Sequence, residues 1–136
     1  MELYRDVLIP NLEKGARAAG RDASRIEKLI EIKVSYDPDR ARALADTREW
    51  AALALPAEDK AGVDDPREME RRAAGAADNA HSRFIVTNDP DECVAEIEPY
   101  LALGFTHLVF HFPGKDQERA LGHFAAKVLP LLRKRA

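Results

Sequence analysis

Leu29-Ile30-Glu31-Ile32-Lys33-Val34-Ser35-Tyr36-Asp37-Pro38-Asp39 is the stretch that decides the fold. Its first eight residues alternate: Ile30, Ile32, Val34 and Tyr36 fall on one face, Glu31, Lys33 and Ser35 on the other. That period of two predicts a β-strand with one apolar and one polar face. Asp37-Pro38 then ends it, because Asp suits a helix N-cap and Pro suits the first helical position. A strand handing over at once to a helix is the signature of a β/α unit and a parallel sheet.

The same grammar recurs further along. Phe84-Ile85-Val86-Thr87-Asn88 runs into Asp89-Pro90-Asp91-Glu92, and Asp65-Pro66 opens a helix with no strand before it. Glu68 and Glu92 stand three residues after their aspartates, the spacing of a capping box. A second clear strand, His107-Leu108-Val109-Phe110-His111-Phe112, sets His107, Val109 and His111 against Leu108, Phe110 and Phe112. Around these strands the apolar spacing predicts helices. The first covers residues 2–19, with Pro10 expected to kink or break it and Gly20 ending it. The next, at 38–55, offers Ala41, Leu44, Trp50 and Leu53 to the core. A polar loop or short helix at 56–65 leads to a charged helix at 66–76. Residues 83–87 read as extended. The helix at 90–103 contains Pro99, expected to bend it, and is closed by Gly104. The last helix, 116–133, turns Leu121, Phe124 and Val128 inward.

Composition narrows the function. The chain of 136 residues is 46% hydrophobic and 33% charged, which suits a folded domain. Its net charge is −3 with both signs interspersed, against the basic face of a nucleic-acid binder. No apolar run reaches the roughly 18–20 residues of a membrane span, and the first residues lack a signal peptide's pattern. The single cysteine, Cys93, excludes an internal disulfide, so a cytoplasmic setting is expected. It reads as a small buried hydrophobe on a helix. No metal-ligand spacing and no glycine-rich phosphate loop is present.

Both strong strands carry an apolar face and a polar or mixed one, and both are followed by helices. In a β/α barrel the apolar face packs on outer helices while the other lines the interior. A closed barrel needs eight strands and usually about 250 residues. Two strands and one short extended segment supply part of it. The expected class is α/β, the C-terminal portion of a (β/α)8 TIM-type barrel, incomplete in this chain. Residues 1–136 are read as one partial barrel segment with a helical or loop insertion at about 56–82.

Four ordered stretches carry a resemblance: Glu31 to Asp39, Asp64 to Glu70, Arg83 to Glu92, and His107 to Gln117. Together they resemble the C-terminal part of the coenzyme F-420 (deazaflavin)-dependent glucose-6-phosphate dehydrogenases, within the luciferase-like barrel oxidoreductases. The likeness covers essentially the whole chain, starting within the helix after the sixth barrel strand. It implies hydride transfer from the anomeric carbon of a sugar phosphate to coenzyme F-420, giving the lactone. It also implies a phosphate held by cationic side chains at the barrel mouth, matched here by Lys60 and Arg83. A guanidinium fork with a lysine point charge suits a phosphate dianion. Between these two residues the chain is one residue shorter than the family pattern. The family's catalytic histidine, general-acid glutamate, active-site tryptophan and most deazaflavin contacts match nothing in this sequence, so the chain alone is expected to be inactive.

His111 ends a strand on the proposed interior face, where such folds place active sites. It could donate to a substrate hydroxyl or serve as a hydrogen-bonded structural residue. Glu31 and Lys33 share that face and are expected to pair, and Trp50 reads as core. Two other readings stay open. One is a different luciferase-like enzyme using flavin or deazaflavin. The other is a non-catalytic module that completes a barrel with a partner chain. Exposed strand edges would favour self-association.

Overall fold

The computed structural model describes residues 1–135. Its sheet holds three parallel strands, β1 (Leu29–Tyr36), β2 (Ile85–Thr87) and β3 (His107–His111), in the order β2-β1-β3. β1 and β3 are neighbours, Leu29 lying opposite His107 and Lys33 opposite His111. The last three residues of β1 pair along its other edge with β2, Val34 opposite Ile85 and Tyr36 opposite Thr87. The Asp37 amide extends that ladder by donating to the Thr87 carbonyl at 3.3 Å.

The alternation read from the sequence sets the layers. Ile30, Ile32, Val34 and Tyr36 are buried, while Glu31 is exposed and Lys33 half-buried. Ser35 shares the face of Glu31 and Lys33 yet is buried, because its hydroxyl donates to the Ala43 carbonyl at 2.6 Å. The buried face packs against the outer helices α5 (Pro90–Ala102), α6 (Gln117–Lys127) and α7 (Leu129–Leu132). Val34, Cys93, Ile97 and Val128 are inaccessible to water there. Phe110 of β3 and Phe112 just after it pack against Phe124, ring centroids 4.6 and 5.2 Å apart. Leu121, expected inward, is instead 58% exposed.

Pro10 does not break the first helix. The turn Leu3–Leu8 widens to π geometry and α1 (Ile9–Ala18) follows directly. Proline lacks an N–H and its ring crowds the carbonyl four residues back, and a widened turn relieves both. Pro99 is likewise carried inside α5, and Gly20 and Gly104 follow their helices at positive φ, as expected.

The Asp-Pro steps divide. Asp65 and Asp89 are N-caps, accepting from the amides of Arg67 and Asp91, with Pro at the first helical position. At the first step the cap is Asp39, and α2 (Arg40–Asp46) begins after it. Asp37 accepts the Asp39 amide at 2.8 Å in the turn before the helix and also serves the tertiary structure. The reciprocal half of each capping box is also absent: Glu92 takes the Thr87 hydroxyl, and Glu68 pairs with Arg71 and Arg72.

The single helix expected at 38–55 splits. After α2 the chain tightens into a 3-10 run, Thr47–Ala54, with Trp50 at non-helical angles (φ −114°, ψ 33°). The Thr47 hydroxyl bonds back to the Leu44 carbonyl at 2.7 Å, a local contact that competes with regular helix. As a result Ala43, Thr47 and Ala51 face inward, not Ala41, Leu44 and Trp50. Next come α3 (Ala57–Lys60), α4 (Pro66–Ala74) and a second 3-10 run, Ala77–Arg83. Arg83 closes that run, so the extended segment starts at Phe84. These elements share a small core of their own: Ala51, Leu55, Ala73 and Ala80.

Candidate functional site

At the C-terminal end of β1 the chain gathers four charged side chains. The Arg119 guanidinium, from the first turn of α6, bonds to Asp37, to Asp46 at 2.7 Å and to Asp116 at 3.3 Å. Arg119 is 16% exposed and Asp37 is 7% exposed as side chains. Burial works against the Arg119 charge, but its hydrogen bond and charge pairing with Asp46, then Asp37 and Asp116, outweigh that and raise its pKa. Gly114 lets Asp46 reach this position. A Cβ there would lie 2.7 Å from the Asp46 carboxyl carbon, and φ is +72°. The hub ties β1, α2 and α6 together at the end of the sheet where β/α barrels keep their sites.

One layer below, the face of β1 and β3 opposite the outer helices is polar and aromatic. Lys33 Nζ donates to Glu31 Oε1 at 2.8 Å, and the same oxygen lies 3.6 Å from His111 Nδ1. The Lys33 hydrogen bond and charge, and then His111, hold the Glu31 carboxyl below its usual range. The His111 ring is flanked edge-on by Trp50 at 4.5 Å and Phe84 at 6.2 Å. Trp50 is 45% exposed, so it is no core residue; the kink in Thr47–Ala54 directs its indole to β3.

Along the edge of β1 that has no strand partner before its first pairing with β2 lies a groove of about 290 Å³. Glu31, Lys33, Ser82, Arg83 and Phe84 line it, with Tyr4 and Tyr100 at its apolar wall. Arg83 therefore opens onto the same space as the Glu31–Lys33 pair. Lys60 ends α3 and is exposed; it is not among the residues of that cleft. A separate cleft of about 400 Å³ between α2 and Ala77–Arg83 is largely apolar. Two charged residues on it, Arg48 and Asp78, pair with each other at 2.8 Å. Among the described residues no cluster of His, Cys, Asp and Glu is arranged for a metal, and no helix is long and apolar enough to cross a membrane.

Sequence reasoning named Lys60, Arg83 and His111 but gave less weight to the residues gathered around the last two. Strand parity had put Lys33 and Glu31 on the interior face. Trp50 and Phe84 gave no local signal, since the contact with His111 depends on an irregular helix. Arg119 was not singled out, because its partners lie up to 82 positions away.

Parallel strands with apolar faces on outer helices and polar faces turned the other way define one wall of a β/α barrel. The luciferase-like monooxygenase family profile matches residues 4–107, and the chain belongs to that family. Among curated relatives it is 54% identical over 132 residues to an F420-dependent glucose-6-phosphate dehydrogenase of Nakamurella multipartita. It is 52% identical over 135 residues to one of Beutenbergia cavernae. These matches cover 96% and 98% of this chain but 39% and 40% of the relatives, so the chain spans about two fifths of their length. A solved F420-dependent secondary alcohol dehydrogenase, in complex with an F420-acetone adduct, superposes with a TM-score of 0.76. It shares 30% identity over 96% of this chain and 40% of that one.

Proposed function

We propose that these residues form the sugar-phosphate side of a deazaflavin-dependent glucose-6-phosphate dehydrogenase. Arg83 and Lys60 anchor the phosphate, and His111 lines the pocket beside Trp50. The observation that carries this reading is the position of Arg83, which ends the Ala77–Arg83 run beside the strand that bears the polar interior residues Glu31 and Lys33. A dianion there meets a guanidinium with its donors in a fixed fork. Coenzyme F-420 supplies the hydride acceptor, and the sugar's anomeric carbon gives up the hydride. The half-exposed indole of Trp50 and the imidazole of His111 suit the border of a planar ring system, but they make only part of such a pocket. Most groups that hold the coenzyme, and those that move the proton, belong to the remainder of a barrel. We read residues 1–136 as one barrel segment, with 56–82 as an insertion, working in the cytoplasm.

In a full-length barrel containing this segment, Arg83→Ala should raise KM for glucose 6-phosphate at least tenfold and change kcat less. An unchanged KM would overturn the assignment. The purified 136-residue chain should show no sugar-phosphate-dependent loss of deazaflavin absorbance; turnover by it alone would refute the division of labour. The likeness to the secondary alcohol dehydrogenase favours a second reading, in which a different alcohol is the substrate. Equal turnover with an unphosphorylated alcohol would support that reading. A third reading is completion of the barrel by a partner chain or a second copy. The edge of β1 at Leu29–Lys33 and the outer edge of β3 lack strand partners among the described residues. Light scattering that reports a monodisperse monomer would count against it.

A further inference from the structure

The contact between Trp50 and His111 is held by two arms that close on one carboxylate. Asp46 ends α2, four residues before Trp50, and directly precedes the 3-10 run Thr47–Ala54. Its side chain makes no cap bond to that run. It accepts instead from Arg119 at 2.7 Å, and only 24% of it is exposed. On the other arm, Gly114 follows His111 by three residues and packs against the same carboxyl group, with no room for a Cβ. Gln117 fixes that turn, its amide donating to the carbonyls of Phe112 at 3.1 Å and Gly114 at 2.6 Å. Lys115, next in the turn, reaches Glu49, the neighbour of Trp50, at 3.3 Å.

We propose that Asp46, held by Arg119, is a positioning residue of the pocket: it sets the Trp50 indole against the His111 ring. This rests on the reading of Trp50 and His111 as pocket wall. Of the three carboxylates around Arg119, Asp37 follows β1 and Asp116 precedes α6, while Asp46 sits on the stretch that carries Trp50. Its loss leaves the guanidinium two counter-charges, so the hub survives while the indole is released.

The test is near-UV circular dichroism of Trp50, the sole tryptophan, with acrylamide quenching of its fluorescence, in the 136-residue chain. Asp46→Ala should lose most of the indole dichroism and raise the quenching constant toward that of free tryptophan. Asp46→Asn keeps an oxygen for the Arg119 hydrogen bond and should recover most of both. Asp116→Ala removes another partner of Arg119 together with the cap of α6, and should leave both signals as in the wild type. If Asp46→Ala keeps the wild-type signals, or Asp116→Ala moves them equally, the assignment is wrong. Far-UV dichroism identifies a variant that does not fold. Should Asp46→Ala be one, Gly114→Ala decides, because its Cβ pushes the Asp46 carboxyl aside. Unchanged Trp50 signals in that variant would overturn the proposal. In a full-length barrel containing this segment, Asp46→Ala should lower kcat/KM for glucose 6-phosphate about tenfold, with Asp46→Asn close to the wild type. If Trp50→Ala is silent in that enzyme, the reading of Trp50 as pocket wall fails and this one falls with it. If Trp50→Ala impairs the enzyme while Asp46→Ala leaves the indole in place, the pocket reading survives and the role of Asp46 is refuted.

Discussion

The parallel wall and the helical stretch that interrupts it bury very different side chains. Behind β1 the core holds Ile32, Val34, Ile97, Phe124 and Val128, each at most 3% exposed. Between Thr47 and Arg83 the buried set is Ala51, Leu55, Ala73 and Ala80. Burial is worth about 0.8 kcal/mol per methylene, so an alanine core contributes far less than an isoleucine and phenylalanine one. Polar ties do much of the joining there. Arg48 reaches Asp78 at 2.8 Å, and Arg72 donates to the Asp59 carbonyl at 2.8 Å. The wall is thus a stable platform, while the segment that presents Trp50, Lys60 and Arg83 is held by small contacts. Regions with few buried apolar groups open at lower free energy, a property that ligand-binding elements often share. The lesson is a division of labour: one region supplies the fold, the other presents the candidate ligands.

The sharpest way to break this division is at the hub where the two regions meet. Arg119→Met would leave Asp37 buried against Asp46 without a counter-charge, and should cost roughly 3–5 kcal/mol. Urea unfolding followed by circular dichroism measures it; a loss below about 1 kcal/mol would mean the carboxylates find water unaided. Adding Asp37→Asn to Arg119→Met should restore part of the loss. Next in size is a matched pair of truncations. Ile97→Ala in the wall should cost about 3 kcal/mol, Leu55→Ala in the interrupting stretch about 2. Cys93 tells the two apart. Burial pushes its thiol up to about 12, so it reacts only when the wall opens. At pH 8, Ile97→Ala should speed its alkylation roughly a hundredfold, in step with global stability. Leu55→Ala should leave that rate almost unchanged while hastening amide exchange around Ala73 and Ala80. Equal acceleration of Cys93 by both would show a single cooperative unit.

The sequence made the wall far more legible than the stretch that interrupts it, for the same physical reason. Alternation in β1 is a strong local signal because large apolar side chains must share one face, and Ile30, Ile32, Val34 and Tyr36 all proved buried. Residues 38–55 are alanine-rich, so no bulky stripe marks their inner face. The Thr47 back-bond and the Trp50 kink then turned that face in a way helical spacing could not foretell. Asp37 looked like a cap because the local grammar is identical at all three Asp-Pro steps. Its carboxylate in fact accepts the Asp39 amide and holds the distant Arg119. For the candidate site, parity placed Lys33, Glu31 and His111 on one interior face. That Phe84 meets His111 and that Arg83 lies beside β1 depend on a chain excursion between β1 and β2 that no local pattern encodes.

The smallest expected effect lies on the surface of that same stretch and concerns pH. Glu68 in α4 pairs with Arg71 and, at 2.8 Å, with Arg72. The Arg72 hydrogen bond and the Arg71 charge hold its carboxyl below the ordinary value near 4.5. A depressed folded pKa adds stability that is complete above the unfolded pKa and fades as pH falls through the folded one. Acidification from pH 6 to below 4 should therefore loosen α4 slightly, and Arg72, freed from Glu68, should release Asp59 more readily as well. The carboxyls of Asp6, Asp22 and Glu31 are also held low, and Glu31 lies in β1 itself, so the comparison is made in a Glu31→Gln background. Amide exchange in α4 and in β1, compared between pH 6 and pH 3.5 after correction for the intrinsic rate, then separates the regions. Glu68→Gln should flatten the α4 difference and leave the amides of β1 as they were. If the wall amides shift with α4, the two regions share one stability, and the contrast between them is one of packing alone.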